Sequence, residues 1–593
     1  MEFIKKILTK FFVMMGILSF IIIVSAIIVA KSLLSLEKET KENTALIINT
    51  SSITGDVSLE SGLFDSFFKN KISLVDTLTS IRKAASDPKI TAIFADVSEV
   101  KLSYAQVEEL RNELNLFKNS NKPIYAWSDT IGEISNGTKI YHLASVFDKI
   151  YIQPSGMLGL NGLISGSMFF KKMFQKLKIE PIGYKREEYK TYWNMFSEEK
   201  YTDAHKESAK SLIDSMFSKI IEDISNSREI SVEKIMEVSN LFSISADKAV
   251  EYRFIDGIKY RDEAAEELKN EAQYKETLSL CSYHKTNSSN FVGAALPKPQ
   301  IAVIELPGSI HRGTSDVGVS GNLESSGSVT IVSLLKKAYK NEKVKGILIR
   351  VNSPGGSVVA SESIWKQIET MVKEDKKPVV VSMGTVAASG GYYVSMPAEK
   401  IFASHTTVTG SIGVVIGKLY TKEFFETLGI TFDSVKTGKN TDLFSSLTKV
   451  DEEQEEYIET MLDEIYSSFV TRAAENRKME YGELEKHAKG RVWSGFQAKE
   501  RGLVDEIGGF MDALEYVKTK SGAEDAVTVK YPESGKLWEI LTDSEESSLG
   551  TTKYFAKFFS YLDVFFRGIE KVHREMKIEQ EESFQLKNSV EVN

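Results

Sequence analysis

The chain repeats itself. "FDKIYIQPSGMLGLNG", ending at Gly162, matches "AEKIFASHTTVTGSIG", ending at Gly413. Lys149 falls on Lys400, Ile150 on Ile401, Gly159 on Gly410 and Gly162 on Gly413, each pair 251 positions apart. "LKIEPIGYK" from Leu177 keeps that spacing against "LGITFDSVK" from Leu428. "KITAIFADVS" pairs with "KVKGILIRVN" at 254 positions and "NKPIYAW" with "KKPVVVS" at 255. "SADKAVEYRFIDGI" pairs with "SGFQAKERGLVDEI" at 249, which puts Asp256 on Asp505. Five blocks in one order at a near-constant spacing mean a duplicated domain.

Each half reads as α/β. "ITAIFADV", "VKGILIRV", "PVVVSM" and "KIFAS" are short apolar, β-rich runs, as strands buried on both faces require. Helical patterns such as "SESIWKQIETMVKED" and "EEQEEYIETMLDEIYSSFVTRAAENR" lie between such runs, and that alternation implies βαβ units. The polar, turn-rich stretch "SYHKTNSSNFVGAALPKP" reads as a linker. The expected organisation is a first domain over 45–280, a linker over 281–298, a second domain over 299–540 and a tail over 541–593. The tail's "YFAKFFSYLDVFFRGIEKV" has helical apolar spacing, suited to packing on the domain or a partner subunit, or to lying on a membrane surface.

Ahead of the repeats, a short N-terminal tail (1–10) leads into "FFVMMGILSFIIIVSAIIVA", Phe11 to Ala30, 20 residues without a charge. At about 1.5 Å per residue this spans a bilayer core of roughly 30 Å. It exceeds the apolar core of about 7–15 residues usual in a cleaved signal peptide, so a retained transmembrane anchor is expected. Lysines are balanced across it: Lys5, Lys6 and Lys10 before, Lys31, Lys38 and Lys41 after. The charge rule is a tie. The short lysine-bearing N-terminus places the bulk of the chain outside the cytoplasm. A net charge of −9 argues against nucleic acid as a partner, and the single cysteine, Cys281, excludes an intrachain disulfide. No cysteine cluster for a metal is present, and no cofactor is expected.

The repeat also sorts the chemistry. "GTVAASGGYY" sets Ser389 between small residues, as on a tight turn, and a serine nucleophile needs a base. At the 251 spacing Ser389 falls on Thr138, in "EISNGTKIYH", where Ser-Gly-Gly is missing. Lys190, in "EEYKTYW", falls on Thr441. Each half holds a group that the other lacks, which suggests one Ser–Lys site built across both, a known catalytic pairing. A lysine base near pH 7–8 must fall from its ordinary pKa of about 10.4, a preference for the neutral amine of roughly 3–4 kcal/mol that desolvation can supply. Tyr189, Tyr192 and Trp193 are candidates to dry it, and Glu187 and Glu188 would oppose this if they faced it. By spacing alone Lys190 reads more readily as a surface lysine in a charged loop. "RVNSPGGSV" follows a buried strand, and a sharp Pro-Gly-Gly turn there would free amides for an oxyanion hole. Gly356 and Gly390 are the candidate donors; the plainer reading is a βα turn that uses glycine for positive φ. His405, 16 residues after Ser389, is the alternative base.

"RVNSPGGSV", "GTVAASGGYY", "GSIGV" and "GRVWSGFQAKERGLVDEIGG" together resemble the signal peptide peptidase A (protease IV) family in its long, duplicated form. The resemblance runs from the anchor to about residue 540. It implies two tandem Clp protease/crotonase-like (spiral βαβ) domains preceded by one transmembrane helix. It further implies a serine endopeptidase with a Ser–Lys dyad, its serine at Ser389 and its lysine at Lys190 of "YKT", assembled as a homotetramer facing away from the cytoplasm. The expected substrates are cleaved signal peptides and similar apolar peptides, at the inner (cell) membrane on its periplasmic side. One departure is "WNMF", Trp193 to Phe196, where the family continues Val-Glu-Pro-Phe. Two other classes fit the same residues: a non-catalytic membrane scaffold of this fold, and a crotonase-like enzyme acting on acyl-CoA.

Overall fold

A computed structural model describes residues 40–56, 71–289, 298–316 and 323–532. The expected anchor (11–30) and the tail (541–593) lie outside them. Among the described residues no helix is long and apolar enough to cross a membrane.

The first half builds a six-stranded, all-parallel sheet. Its strands are β1 (Thr44–Asn49), β2 (Ile90–Asp96), β3 (Ile124–Ser128), β4 (Lys149–Ile152), β6 (Gly257–Ile258) and β7 (Glu276–Ser279). β5 (Glu180–Lys185) stands apart from it. Across the sheet the order is β6-β4-β3-β2-β1-β7. β2 reads ITAIFAD and is almost wholly buried, because helices cover both faces. Those helices begin where the sequence supplies caps. α1 (Leu74–Ser86) has Ser73 accepting from Asp76 N, and α2 (Tyr104–Lys118) has a Ser103/Gln106 capping box. α3 (Thr138–Ala144), the long α4 (Asp203–Arg228), α5 (Arg261–Ala272) and α6 (Leu280–Ser289) follow, with other short helices between them. α6 corrects the expected linker. Polar residues dominate it, but Cys281 and Tyr283 lie in the core on α1 and the Tyr283 hydroxyl donates to Asp87 at 2.9 Å.

The second half repeats the plan. β8 (Gln300–His311), β9 (Ser326–Gly327), β10 (Val344–Gly356), β11 (Val379–Ala388), β12 (Lys400–Ala403), β16 (Glu506–Ile507) and β17 (Val527–Tyr531) lie in one sheet. Its order β16-β12-β11-β10-β8-β17 matches that of the first half strand for strand, and β9 extends the far end of β8. β13 (Val408–Gly410) joins β11, and β15 (Val492–Ser494) pairs antiparallel with β13. β14 (Val415–Tyr420) leaves the sheet altogether. Among its helices are α7 (Val358–Glu374), α8 (Gly390–Ser395), α9 (Glu452–Arg477) and α10 (Phe510–Lys520).

Side chains carry the same duplication. Asp256 accepts from Ile150 N at 2.8 Å and pairs with Arg228; Asp505 accepts from Ile401 N at 2.8 Å and pairs with Arg477. Tyr141 donates to the carbonyl of Phe254 at 2.8 Å and Tyr392 to that of Leu503 at 3.1 Å.

Apolar packing and a buried ion cluster are among the contacts that lock the halves together. α10 covers the outer face of the second sheet and continues the first half's core, so Leu514 and Val517 share a cluster with Leu78 and Ile81. Below them Arg350 of β10, with no exposed surface, pairs with Asp56 at 3.0 Å and Glu109 at 2.7 Å.

Candidate active site

β11 ends at Ala388, and Ser389 turns the chain into α8 with φ 54° and ψ −118°. A non-glycine residue there is strained by about 1–3 kcal/mol and persists only when its surroundings hold it. They do: Ser389 N donates to Gly410 O at 2.8 Å, and Ser389 O accepts from Tyr393 N at 2.9 Å.

Lys190 arrives from the other half. β5 pairs antiparallel with β14, from Val415 opposite Lys185 to Tyr420 opposite Glu180. This two-stranded clasp joins one strand from each half. Its centre is Gly417 opposite Gly183, and the Trp193 indole lies across both: a Cβ on Gly183 would sit 2.0 Å from Nε1, one on Gly417 2.5 Å from the ring. Five residues beyond β5, Lys190 enters a slot in the second half lined by Gly413 and Gly490. It is 6% exposed. Its Nζ lies 3.0 Å from Ser389 Oγ, 2.9 Å from Ser411 O and 3.0 Å from Ser411 Oγ. Burial alone pushes the Lys190 amine down to about 7.

These three neighbours match a neutral amine. A deprotonated amine keeps its two N–H groups on Ser411 O and Oγ and can accept the Ser389 hydroxyl with its lone pair. Ser411 has φ 53° and its N–H donates to Arg491 O at 2.7 Å, so this acceptor pair is fixed.

The aromatic neighbours expected to dry Lys190 do not do so. Tyr192 is 68% exposed, and Tyr189 turns away to donate to Glu207 at 2.9 Å. Trp193 braces the clasp instead, and Glu187 and Glu188 face Lys489. Lys190 is dried by the second half's own backbone. At the departure "WNMF", Asn194 is buried and accepts from Lys185 at 3.1 Å.

"SPGG" is a correction too. Pro354 to Gly356 form no sharp turn; they extend β10 alongside β8, after a register shift between Val351 and Ser353. The Gly356 amide nonetheless lies beside Gly390, the residue that follows Ser389. Gly356 pairs with Ile310, and Ser357 N donates to Ile310 O at 2.8 Å. Parallel strands alternate, so Gly356 N–H points to the opposite edge, toward Ser389. The hypothetical Cβ of Gly390 lies 3.1 Å from Gly356 N. Gly390 N–H opens α8, where no intrahelical acceptor exists.

Beside Ser389 opens a cavity of about 330 Å³. Val358, Val359, Ile465, Phe469 and Tyr393 line its apolar side, and an ion pair between Glu362 and Arg472, 2.8 Å apart, lies on its polar side. His405 lies elsewhere. Its ring stacks on Phe496 and stands 3.7 Å from Glu108, in a different groove. In the first half, Thr138 is buried with its hydroxyl donating to Gly162 O at 3.2 Å, and Thr441 is exposed in a loop. The described residues thus hold one buried amine–hydroxyl pair of this kind, at Ser389.

The family model of peptidase family S49 matches residues 116–275 and 371–524. The chain belongs to peptidase family S49. A Clp protease model matches 313–408. The serine protease SPPA of Arabidopsis thaliana chloroplasts is 30% identical over 464 residues, which span 77% of this chain and 66% of that protein. Protease 4 of Salmonella typhi is 31% identical over 460 residues, 74% of this chain and 71% of that protein. A protein of Enterococcus faecium, whose name is that of a signal peptide peptidase SppA, is 37% identical over 225 residues, 38% of this chain and 65% of its own length. This S49 member is a serine protease of Clp protease-like α/β fold with two tandem family domains.

Proposed function

We propose that the chain is a membrane-anchored endopeptidase that degrades cleaved signal peptides and similar apolar peptides through a Ser389–Lys190 dyad. The observation that carries this reading is the buried Lys190 amine, 3.0 Å from the Ser389 hydroxyl. Lys190 takes the hydroxyl proton as Ser389 Oγ attacks a peptide carbonyl. The Gly356 and Gly390 amides hold the oxyanion. Collapse of that intermediate breaks the C–N bond, and Lys190 delivers its proton to the leaving amine. Water, deprotonated by the same amine, then releases the acyl group and restores Ser389.

The apolar side of the cavity supports a substrate with an apolar residue before the cleaved bond. The uncharged run 11–30 supports a single-pass anchor in the inner (cell) membrane, with the bulk of the chain on the periplasmic side. Family resemblance supports a homotetramer. The names of the relatives support signal peptides as substrates.

Ser389→Ala and Lys190→Ala test the dyad. Each lowers hydrolysis of an apolar peptide by at least about a thousandfold while the chain stays folded. Full activity in either variant overturns the assignment.

A further inference from the structure

We propose that residues 431–436 of one copy pair as an antiparallel strand with residues 164–169 of a second copy, and that this junction repeats, between chains, the clasp that joins the two halves within one chain. The inference rests on the self-association part of the reading above and needs none of its chemistry.

The argument starts from the duplication. Within the chain, β14 of the second half pairs with β5 of the first. At the 251 spacing, the first-half counterpart of β14 is 164–169, and the second-half counterpart of β5 is 431–436. Neither counterpart has a partner strand. Neither lies in a helix, strand or turn, and among the described residues none of their main-chain groups bonds to another main-chain group. Apolar side chains stand in water along both: Ile164 is 89% exposed, Met168 73% and Val435 fully. Bare edges of this kind are templates for pairing with another chain.

The register follows from the observed clasp. Lys185 opposite Val415 becomes Lys436 opposite Ile164, and the series continues with Val435 opposite Ser165, Ser434 opposite Gly166 and Phe432 opposite Met168. The last pair buries two exposed apolar groups against each other. The brace is also duplicated. Trp193 covers the central glycine pair of the clasp; its counterpart is Phe444, 57% exposed, and the new centre is Ser434 with Gly166, small enough to receive it. The surfaces differ, so the contact is head-to-tail and uses one face of each half. Thr138 and Thr441 replace serine and lysine at such a junction, so it adds no second catalytic site.

Cysteine pairing in the full chain tests this. Residues directly opposite in an antiparallel pair have Cα atoms about 4.5–5.5 Å apart, within disulfide range. Ser165→Cys and Val435→Cys each change an exposed position. Mixed and oxidised, the two single variants give a disulfide-linked dimer on a non-reducing gel, whereas neither gives one alone. The double variant gives a ladder of linked chains. The buried native Cys281 is common to all samples. A second measurement uses Ser434→Pro, which lowers assembly in sedimentation while fluorophosphonate labelling of Ser389 stays within about twofold of the parent. Dimers from one variant alone mean a two-fold contact and overturn the proposal. So does equal linkage through Ser167→Cys with Val435→Cys, a shifted register. Assembly without linkage overturns the proposal and leaves self-association standing. A chain that sediments as a monomer overturns both.

Discussion

Gly490 lies against Lys190 so closely that a Cβ added to it would sit 2.6 Å from Lys190 Cβ and 2.7 Å from its Cα. Its φ of 75° also disfavours any other residue. A glycine of the second half therefore sets the depth to which the first half's lysine enters. Gly490→Ala must push the Lys190 backbone away from Ser389. We expect kcat/KM for an apolar peptide to fall about a hundredfold, as misplacement by about 1 Å does. Thermal unfolding should move far less. Unchanged turnover would mean that the slot does not position the amine.

The pH dependence follows from burial. With the Lys190 amine lowered to about 7, the base is protonated and idle in acid and free in mild alkali. kcat/KM should rise tenfold per pH unit below about 7 and level off above it. Stability carries the opposite mark of the same group. The unfolded chain holds this proton up to about pH 10.4, so the folded state is disfavoured below about 7, and the penalty fades as pH rises between the two values. Lys190→Met should therefore raise stability at pH 6 and not at pH 11. Urea titrations at the two pH values measure this.

Ser411 offers Lys190 two acceptors, its carbonyl and its hydroxyl oxygen. Ser411→Ala removes the second and leaves one amine hydrogen without a partner in a dry slot. A lost hydrogen bond of this kind is worth about 1–1.5 kcal/mol, so kcat should fall about tenfold with KM little changed. Ser411→Thr, which restores a hydroxyl, should recover part of the rate. Equal activity in all three proteins would remove Ser411 from the positioning of the base.

Comparison of the repeats isolated both members of the proposed dyad, because each position is informative against its counterpart: Ser389 against Thr138, Lys190 against Thr441. The duplicated α/β plan was legible from the same comparison. What surrounds the lysine was not. Ser411 sits within the quoted "GSIGV", but its role depends on the β5–β14 clasp, which pairs residues more than two hundred positions apart. Tyr189 and Tyr192 are neighbours of Lys190 in sequence and not in space. "SPGG" reads as a turn because glycine permits one, yet pairing with β8 keeps it extended. The polar start of the expected linker folds as α6 because Leu280, Cys281 and Tyr283 anchor it in the core beside α1.

Arg350 links the catalytic half to the first half through charge. Its guanidinium holds Asp56 and Glu109, both buried, and donates to Ser382 Oγ at 2.8 Å on β11, the strand that ends before Ser389. Burial raises the Glu109 carboxyl above its usual range even with Arg350 present. Arg350→Met removes the cation that two buried carboxylates share. Loss of one partner from a buried network costs about 3–5 kcal/mol. Without the guanidinium, Glu109 rises further, so the folded variant binds a proton that the unfolded chain releases at ordinary carboxylate pH. Its deficit should be largest at pH 8 and shrink toward pH 5, as that proton becomes available. Chemical denaturation of parent and variant across this range reads the difference directly. A deficit independent of pH would mean that packing, not charge, is what Arg350 supplies between the halves.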